Sequence, residues 1–159
     1  MSMYTGQWGI NQSGAVLDPT GIISIEKADG AVLNGQDDLF VIIGGPIMVV
    51  DLVGIVSAVI GGAANCHIDE AVGVPIADVP MSTNVALALT LGTSITFSAA
   101  FPSVLLPTAA GAVGAIPQTG WVCPAGTLKA HCSAAQTGNI RWCMKYLPLS
   151  PLSTVMVAP

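Results

Sequence analysis

The chain has 159 residues, of which 52% are hydrophobic and 8% are charged, and its formal net charge is −5 with only four Lys and Arg. A length of this kind suits one domain, and the high apolar content excludes an intrinsically disordered chain. The scarcity of basic residues argues against binding to nucleic acid, whose phosphates need a basic surface, and against binding to an anionic membrane.

Residues 1–35 are the most polar part of the chain and are predicted to form an N-terminal arm that contains the first strand. The strand is GIISIEK at residues 21–27. Tyr4 and Trp8 are the candidate anchors of an arm that orders on a neighbouring subunit, and a frayed terminus is the alternative. Since Met-Ser-Met-Tyr lacks the features of a secretory signal, we expect the protein to stay in a cytoplasm until it is assembled.

The longest apolar run is LFVIIGGPIMVVDLVGIVSAVIGG, at residues 39–62. About 20 apolar residues can cross a bilayer. However, Gly-Gly-Pro at 44–46 interrupts this run, Asp51 lies inside it, and its Val and Ile residues favour strands. A transmembrane helix is therefore the weaker interpretation, and strands on either side of a corner at 44–46 are the stronger one.

The strand after this corner is predicted to cover residues 47–60, either as one long strand or as a strand pair kinked at Gly54. Residues 63–68 would then pair back, and Asp69 and Glu70 would begin a loop. Further along, alternating apolar residues at 84–91 predict a strand with two apolar faces.

The C-terminal part shows the clearest local pattern. Residues 127–133 alternate with Leu128, Ala130 and Cys132 on one face, and Ile140, Trp142, Met144 and Tyr146 form the apolar face of a second strand. A turn between them predicts a β-hairpin. Short strands, Gly and Pro corners and the lack of an amphipathic helix predict an all-β chain. Its expected form is an antiparallel β-sandwich over residues 36–159, with a jelly roll as one form of it and a barrel as the alternative.

The residues that could carry chemistry are few. Cys66, Cys123, Cys132 and Cys143 lack the spacing of a disulfide framework or of a structural zinc site, so we expect buried thiols. His67 and His131 each flank a cysteine, and adjacent residues of a strand point to opposite faces. Neither Cys-His pair can therefore chelate an ion, and no metal, cofactor or catalytic residue is predicted.

Asp51 is unusual because it places a carboxylate inside a long apolar strand. It must face water, pair with a basic residue or lie at a subunit contact. Arg141 and Lys145 are the available partners. With Tyr4 and Trp8, these three residues make up the predicted interface set.

Two blocks of the sequence carry a resemblance to a known class of proteins. LFVIIGGPI with the apolar residues that follow it, at 39–62, and the segment from PAGTL to the final VA, at 124–158, resemble short structural proteins of tailed-bacteriophage virions. The resemblance implies a virion location and no chemistry.

The residues indicate no reaction and the resemblance implies a virion component, so the expected function is that of a non-enzymatic capsid decoration, or cement, protein. Its expected partners are the major capsid protein and further copies of itself, as a homo-oligomer for which a trimer is expected. The low charged fraction agrees with this prediction, because an ordinary soluble domain is roughly a quarter charged and large apolar surfaces mark interfaces. The alternatives are a tail or head-fibre component that contacts a host surface, and a small hydrolase or metal-binding enzyme.

Overall fold

The computed structural model describes residues 21–28, 35–73, 78–83, 85–97, 103–108, 120–134 and 137–159. These residues form strands and turns. None of the described segments is a helix of the length and apolarity needed to span a membrane. The strands are β1 (Ile23–Lys27), β2 (Gln36–Ile43), β3 (Ile47–Ala71), β4 (Val79–Pro80), β5 (Ser82–Thr83), β6 (Val85–Leu89), β7 (Ser94–Phe97), β8 (Ser103–Thr108), β9 (Trp121–Cys123), β10 (Gly126–Cys132), β11 (Thr137–Pro148) and β12 (Thr154–Val157).

The strand β3 belongs to both sheets of the fold. Its first half pairs with β11, β7 and β9, and β11 pairs in turn with β1. Its second half pairs with β10, and the second sheet continues from β10 through β2 to β12. These pairs are antiparallel, whereas β5 and β8 run parallel. The predicted all-β, antiparallel, sandwich-like architecture is therefore confirmed, and the jelly roll stays a prediction.

The core lies between these sheets and is built from alternate residues of the long strands. The predicted apolar face of β11 is confirmed, since its four side chains are each at most 3% exposed. Each large apolar side chain buried in this way contributes about 1.5 to 3 kcal/mol. The main core residues on these strands are Leu39, Phe40, Ile42, Ile47, Val49, Leu52, Val56, Ile60, Ile68, Leu128, Ile140, Trp142, Met144, Tyr146 and Val155.

The predicted corner between β2 and β3 is present and requires glycine. Gly44 has a φ of +78°, in the left-handed region that favours glycine. A Cβ atom at this position would overlap the carbonyl oxygen of Leu152. The corner is therefore packed directly against the turn that precedes β12.

Of the two alternatives predicted for residues 47–60, the one long strand is confirmed, since β3 runs through Gly54, which pairs with Trp142 on one side and with Ile95 on the other. The structure corrects the predictions made for the residues that follow. Residues 63–68 do not pair back, and Asp69 and Glu70 do not begin a loop. Instead β3 continues to Ala71, because β10 pairs with one edge of its second half and β4 and β6 with the other.

The predicted hairpin between β10 and β11 is also wrong. The alternation within each strand was read correctly, but β10 pairs with β2 and β3, while β11 pairs with β1 and β3. The two strands thus enter different sheets and lie along different halves of β3. A strand's period of two sets which side chains share a face, and it does not set which strand is the neighbour.

Candidate functional site

The predicted interface residues lie in different places. Tyr4 and Trp8 are outside the described residues, as are residues 1–20 and 29–34 of the expected arm. Lys145 lies directly opposite Asp51 in the β11–β3 pair, whereas Arg141 lies opposite Ile55 and pairs with Glu26 at 3.3 Å between Nε and Oε1. Of the two proposed partners of Asp51, Lys145 is therefore the one that lies opposite it in the strand register.

Asp51 is accommodated at a β-bulge. In the β11–β3 register, Lys145 faces Asp51 but the next residue, Tyr146, faces Val49, so Val50 is the extra residue. The bulge shifts the alternation, which keeps both Val49 and Leu52 buried and leaves Asp51 half-buried. Burial raises the pKa of the Asp51 carboxyl, and the charge of Lys145 and a backbone hydrogen bond from Leu52 lower it by less.

A disulfide bond joins Cys66 on β3 to Cys132 on β10. The two residues are direct partners in the antiparallel pair, with their Cα atoms 4.1 Å apart. Both cysteines are buried as expected, but the prediction of thiols is wrong for them, because spacing along the chain does not show that the pairing of β3 with β10 places Cys66 opposite Cys132. Cys123 and Cys143 are free thiols.

Three side chains that the sequence analysis did not combine meet on the opposite face of the same two strands. His131 lies directly opposite His67, one residue away from the disulfide, and Asp69 is two residues further along β3. Nε2 of His67 is 3.0 Å from Oδ1 of Asp69, and Nδ1 of His131 is 3.4 Å from Oδ2 of Asp69. The Asp69 carboxylate thus bridges the two imidazoles, and we call these three residues the His-Asp-His cluster.

The ligand atoms of the His-Asp-His cluster all lie within 4.8 Å of one another, so they could hold one metal ion. The side chain of Asp69 is 6% exposed, that of His67 is 18% exposed and that of His131 is 39% exposed. The carboxylate of Asp69 is therefore shielded from solvent, whereas the imidazole of His131 is accessible to it. Adjacent cysteine and histidine residues point to opposite faces of each strand, but His67 and His131 come from different strands and share one face.

A signal for part of this cluster exists in the sequence. His67 and Asp69 are two residues apart, so on a strand their side chains share a face. With Asp69 expected at the start of a loop, this spacing does not predict a shared face. His131 could not be added from the sequence, because its position depends on the pairing of β10 with β3.

Glu70 points to the opposite face from Asp69, into the interior. It is 6% exposed, and its Oε1 atom is buried without a hydrogen-bond partner. Burial raises the pKa of the Glu70 carboxyl to about 7, and a hydrogen bond with the thiol of Cys123 lowers it by less. Burial also raises the pKa of the Cys123 thiol, which lies in the core, so this thiol is a poor nucleophile.

An apolar surface patch lies where the corner after β2 meets the turn before β12. Leu152 is 74% exposed and Met156 is 49% exposed. The exposed Ile43 is the pairing partner of Thr154 on β12, and the exposed Leu149 donates its N–H to the carbonyl oxygen of Pro46. We call Ile43, Leu149, Leu152 and Met156 the β12 patch. It contains no charged side chain, and β12 pairs with β2 among the described residues.

Comparisons of the chain with protein-family models, with curated proteins and with solved structures find no match.

Proposed function

We propose that this chain is a capsid decoration protein of a tailed bacteriophage. It binds the outer shell formed by the major capsid protein, acts as a homo-oligomer such as a trimer, and stabilises the shell across the boundaries between subunits. The observation that carries this proposal is the β12 patch, an uncharged and strongly exposed apolar surface on a chain in which 8% of the residues are charged.

The position of the β12 patch supports the proposal further. Its residues all belong to the two sequence blocks that resemble phage virion proteins: Ile43 lies in the block at 39–62, and Leu149, Leu152 and Met156 lie in the block at 124–158. Exposed apolar side chains that lie close together are typical of a surface that another protein covers. We therefore assign the β12 patch to contact with the shell.

The Cys66–Cys132 disulfide agrees with this location. Disulfides persist on virion surfaces and in other oxidising surroundings, and they are rare in cytosolic proteins. A decoration protein is exposed to such surroundings after the cell lyses. A decoration protein binds many equivalent positions on the shell, and such repeated binding over a lattice multiplies a modest affinity for each copy.

Binding to isolated shells tests the proposal. Purified chain is mixed with shells that lack it, and the bound fraction is measured by sedimentation. Replacing both Leu152 and Met156 with glutamate should weaken binding by at least about tenfold, since burying one large apolar side chain contributes about 1.5 kcal/mol or more. Val122→Glu is the matched control, because Val122 is 60% exposed on β9, outside the β12 patch.

The control variant should bind like the parent, and both variants should melt like the parent. If the parent chain does not bind shells, the decoration role is wrong. If the parent and the double variant bind equally well, the assignment of the β12 patch to the contact is wrong. Binding of the parent to tails or fibres instead of shells would favour the tail or head-fibre alternative.

A further inference from the structure

The His-Asp-His cluster has a donor set that metal ions recognise. It combines two imidazole nitrogens with one carboxylate oxygen, and zinc sites commonly use these ligands at distances of about 2.0 to 2.2 Å. In a tetrahedral site with such bonds, ligand atoms lie roughly 3.3 to 3.5 Å apart. Here Nε2 of His67 is 3.0 Å from Oδ1 of Asp69, Nδ1 of His131 is 3.4 Å from Oδ2, and the ligand atoms of the three residues lie within 4.8 Å of one another. Side-chain rotations that draw the three ligand atoms together would let them bind one ion.

The backbone under the His-Asp-His cluster is held in place from several sides. The neighbouring Cys66–Cys132 disulfide fixes the register of β3 and β10, and hence the position of His67 opposite His131. Between His67 and Asp69, Ile68 donates its N–H to Oγ of Ser82 at 2.8 Å and accepts the N–H of Met81 at 2.8 Å. The ligands thus project from a fixed strand pair, which lowers the entropy lost when an ion binds.

The charges around the His-Asp-His cluster also favour a cation. Asp69 is buried to 4% exposure, where a carboxylate needs a compensating charge or hydrogen bonds, and the imidazoles of His67 and His131 lie 3.0 and 3.4 Å from its two oxygens. Lys129 lies opposite Asp69 in the β10–β3 pair, but its ammonium group is 3.4 Å from Oδ2 of Asp78. This lysine is therefore engaged by a second carboxylate, and His131 offers the exposed route by which an ion can enter.

We infer that His67, Asp69 and His131 form a binding site for one divalent transition-metal ion of the zinc type. Imidazole ligands favour zinc, copper, nickel and cobalt over magnesium and calcium, which prefer oxygen ligands alone. With three ligands from the protein, at least one coordination position is left for water. This inference does not depend on the proposed function, because it concerns only the residues of this cluster.

Metal titration of the full chain tests the inference. The protein is treated with a chelator, dialysed and titrated with Zn²⁺ in competition with a chromophoric chelator, and Co²⁺ binding is followed by visible absorption. The parent should bind one ion per chain, give the intense absorption of four-coordinate cobalt, and melt several degrees higher with zinc. His67→Ala, His131→Ala and Asp69→Asn should each weaken binding by about 100-fold or more.

Two control variants separate this site from other sources of binding. Asp38→Asn removes an exposed carboxylate from β2, and Cys143→Ser removes a half-buried free thiol on β11. Both should bind zinc like the parent. The inference is overturned if the parent binds no zinc in large excess, if the three cluster variants bind as tightly as the parent, or if Cys143→Ser alone abolishes binding. His131→Ala removes the most exposed ligand, so it tests binding even if the other variants fold poorly.

Discussion

The two halves of β3 differ in what their side chains do. In the first half, Val49, Leu52, Val56 and Ile60 are buried against the facing strands, and Asp51 is placed at a bulge. The second half, from Cys66 to Ala71, carries a disulfide and a buried carboxyl on its inner face and the His-Asp-His cluster on its outer face. One strand thus combines a segment for packing with a segment that carries ionisable and ligand groups.

The pairing partner determines the role of each half of β3. The first half pairs with β11, whose inward side chains are large and apolar, so its alternate residues make core. The second half pairs with β10, which places Cys132 opposite Cys66 and His131 opposite His67. Four substitutions or comparisons test this difference, from the largest expected effect to the smallest.

Removing the disulfide should have the largest effect on stability. The bond closes a loop whose ends are 66 residues apart, which corresponds to about 4 kcal/mol in the chain-entropy model. We expect the Cys66→Ala, Cys132→Ala double variant to lose about this much free energy of unfolding, as measured by urea denaturation without reductant. Cys143→Ser should unfold like the parent. A double variant as stable as the parent would contradict this account of the second half.

The charge state of Glu70 should make stability depend on pH. Its pKa is about 7 in the folded protein, against an ordinary value of 4.5, so the folded state binds this proton more tightly. Protonation of Glu70 therefore stabilises the folded state fully below pH 4.5, and this stabilisation is lost as the pH rises through 7. The loss in free energy of unfolding is up to about 3 kcal/mol. Glu70→Gln should lack this dependence, and urea denaturation between pH 4 and 8 should show it as a difference between the two curves.

The difference in free energy of unfolding between the parent and Glu70→Gln, plotted against pH, isolates the contribution of Glu70. Other titrating groups are common to the parent and the Glu70→Gln variant, so their contributions cancel in the difference. Parallel curves for the two proteins would show that Glu70 is ionised in the core or exposed to water, contrary to the structure described.

Adding a methyl group to the first half of β3 should lower stability through packing alone. In Gly54→Ala, the new Cβ atom would lie 2.9 Å from Cζ3 of Trp142 and 3.0 Å from Cγ2 of Ile140. Overpacking of this kind costs about 2 kcal/mol, at any pH between 4 and 8. Gly61→Ala is the control, because its nearest neighbour would be the Thr137 hydroxyl at 3.3 Å and the site is exposed. This control should change the free energy of unfolding by less than about 0.5 kcal/mol.

Replacing Asp51 should have the smallest effect on the free energy of unfolding. Because it is half-buried and burial outweighs the charge of Lys145, Asp51→Asn should change the free energy of unfolding by less than about 1 kcal/mol. A double-mutant cycle with Lys145→Gln measures the coupling of the pair directly, and we expect less than about 0.5 kcal/mol. A coupling of several kcal/mol would mean that this pair, and not packing alone, holds the first half in place.

The sequence predicted the features of this fold that depend on neighbouring residues. Alternation identified the buried faces of β10 and β11, and Gly-Gly-Pro at 44–46 identified the corner, because side-chain period and backbone freedom are local properties. The all-β class followed from the same signals. The expected strand at 21–27 is present as β1.

The pairing of distant strands could not be predicted in the same way. A turn signal between β10 and β11 favoured a hairpin, but β10 pairs with the second half of β3 and β11 with the first half. The disulfide and the His-Asp-His cluster both depend on that pairing, since Cys66 and Cys132 are 66 residues apart. Only the spacing of His67 and Asp69 on one strand face was available from the sequence.

The most direct test of the proposed role is cryo-electron microscopy of intact particles of the tailed phage that, on this proposal, encodes the chain. We expect density for the two-sheet fold on the outer surface of the capsid, in several copies across the boundaries between major capsid subunits, with the β12 patch buried in the contact. Density in the tail or fibres, or the absence of this chain from the particle, would contradict the decoration role.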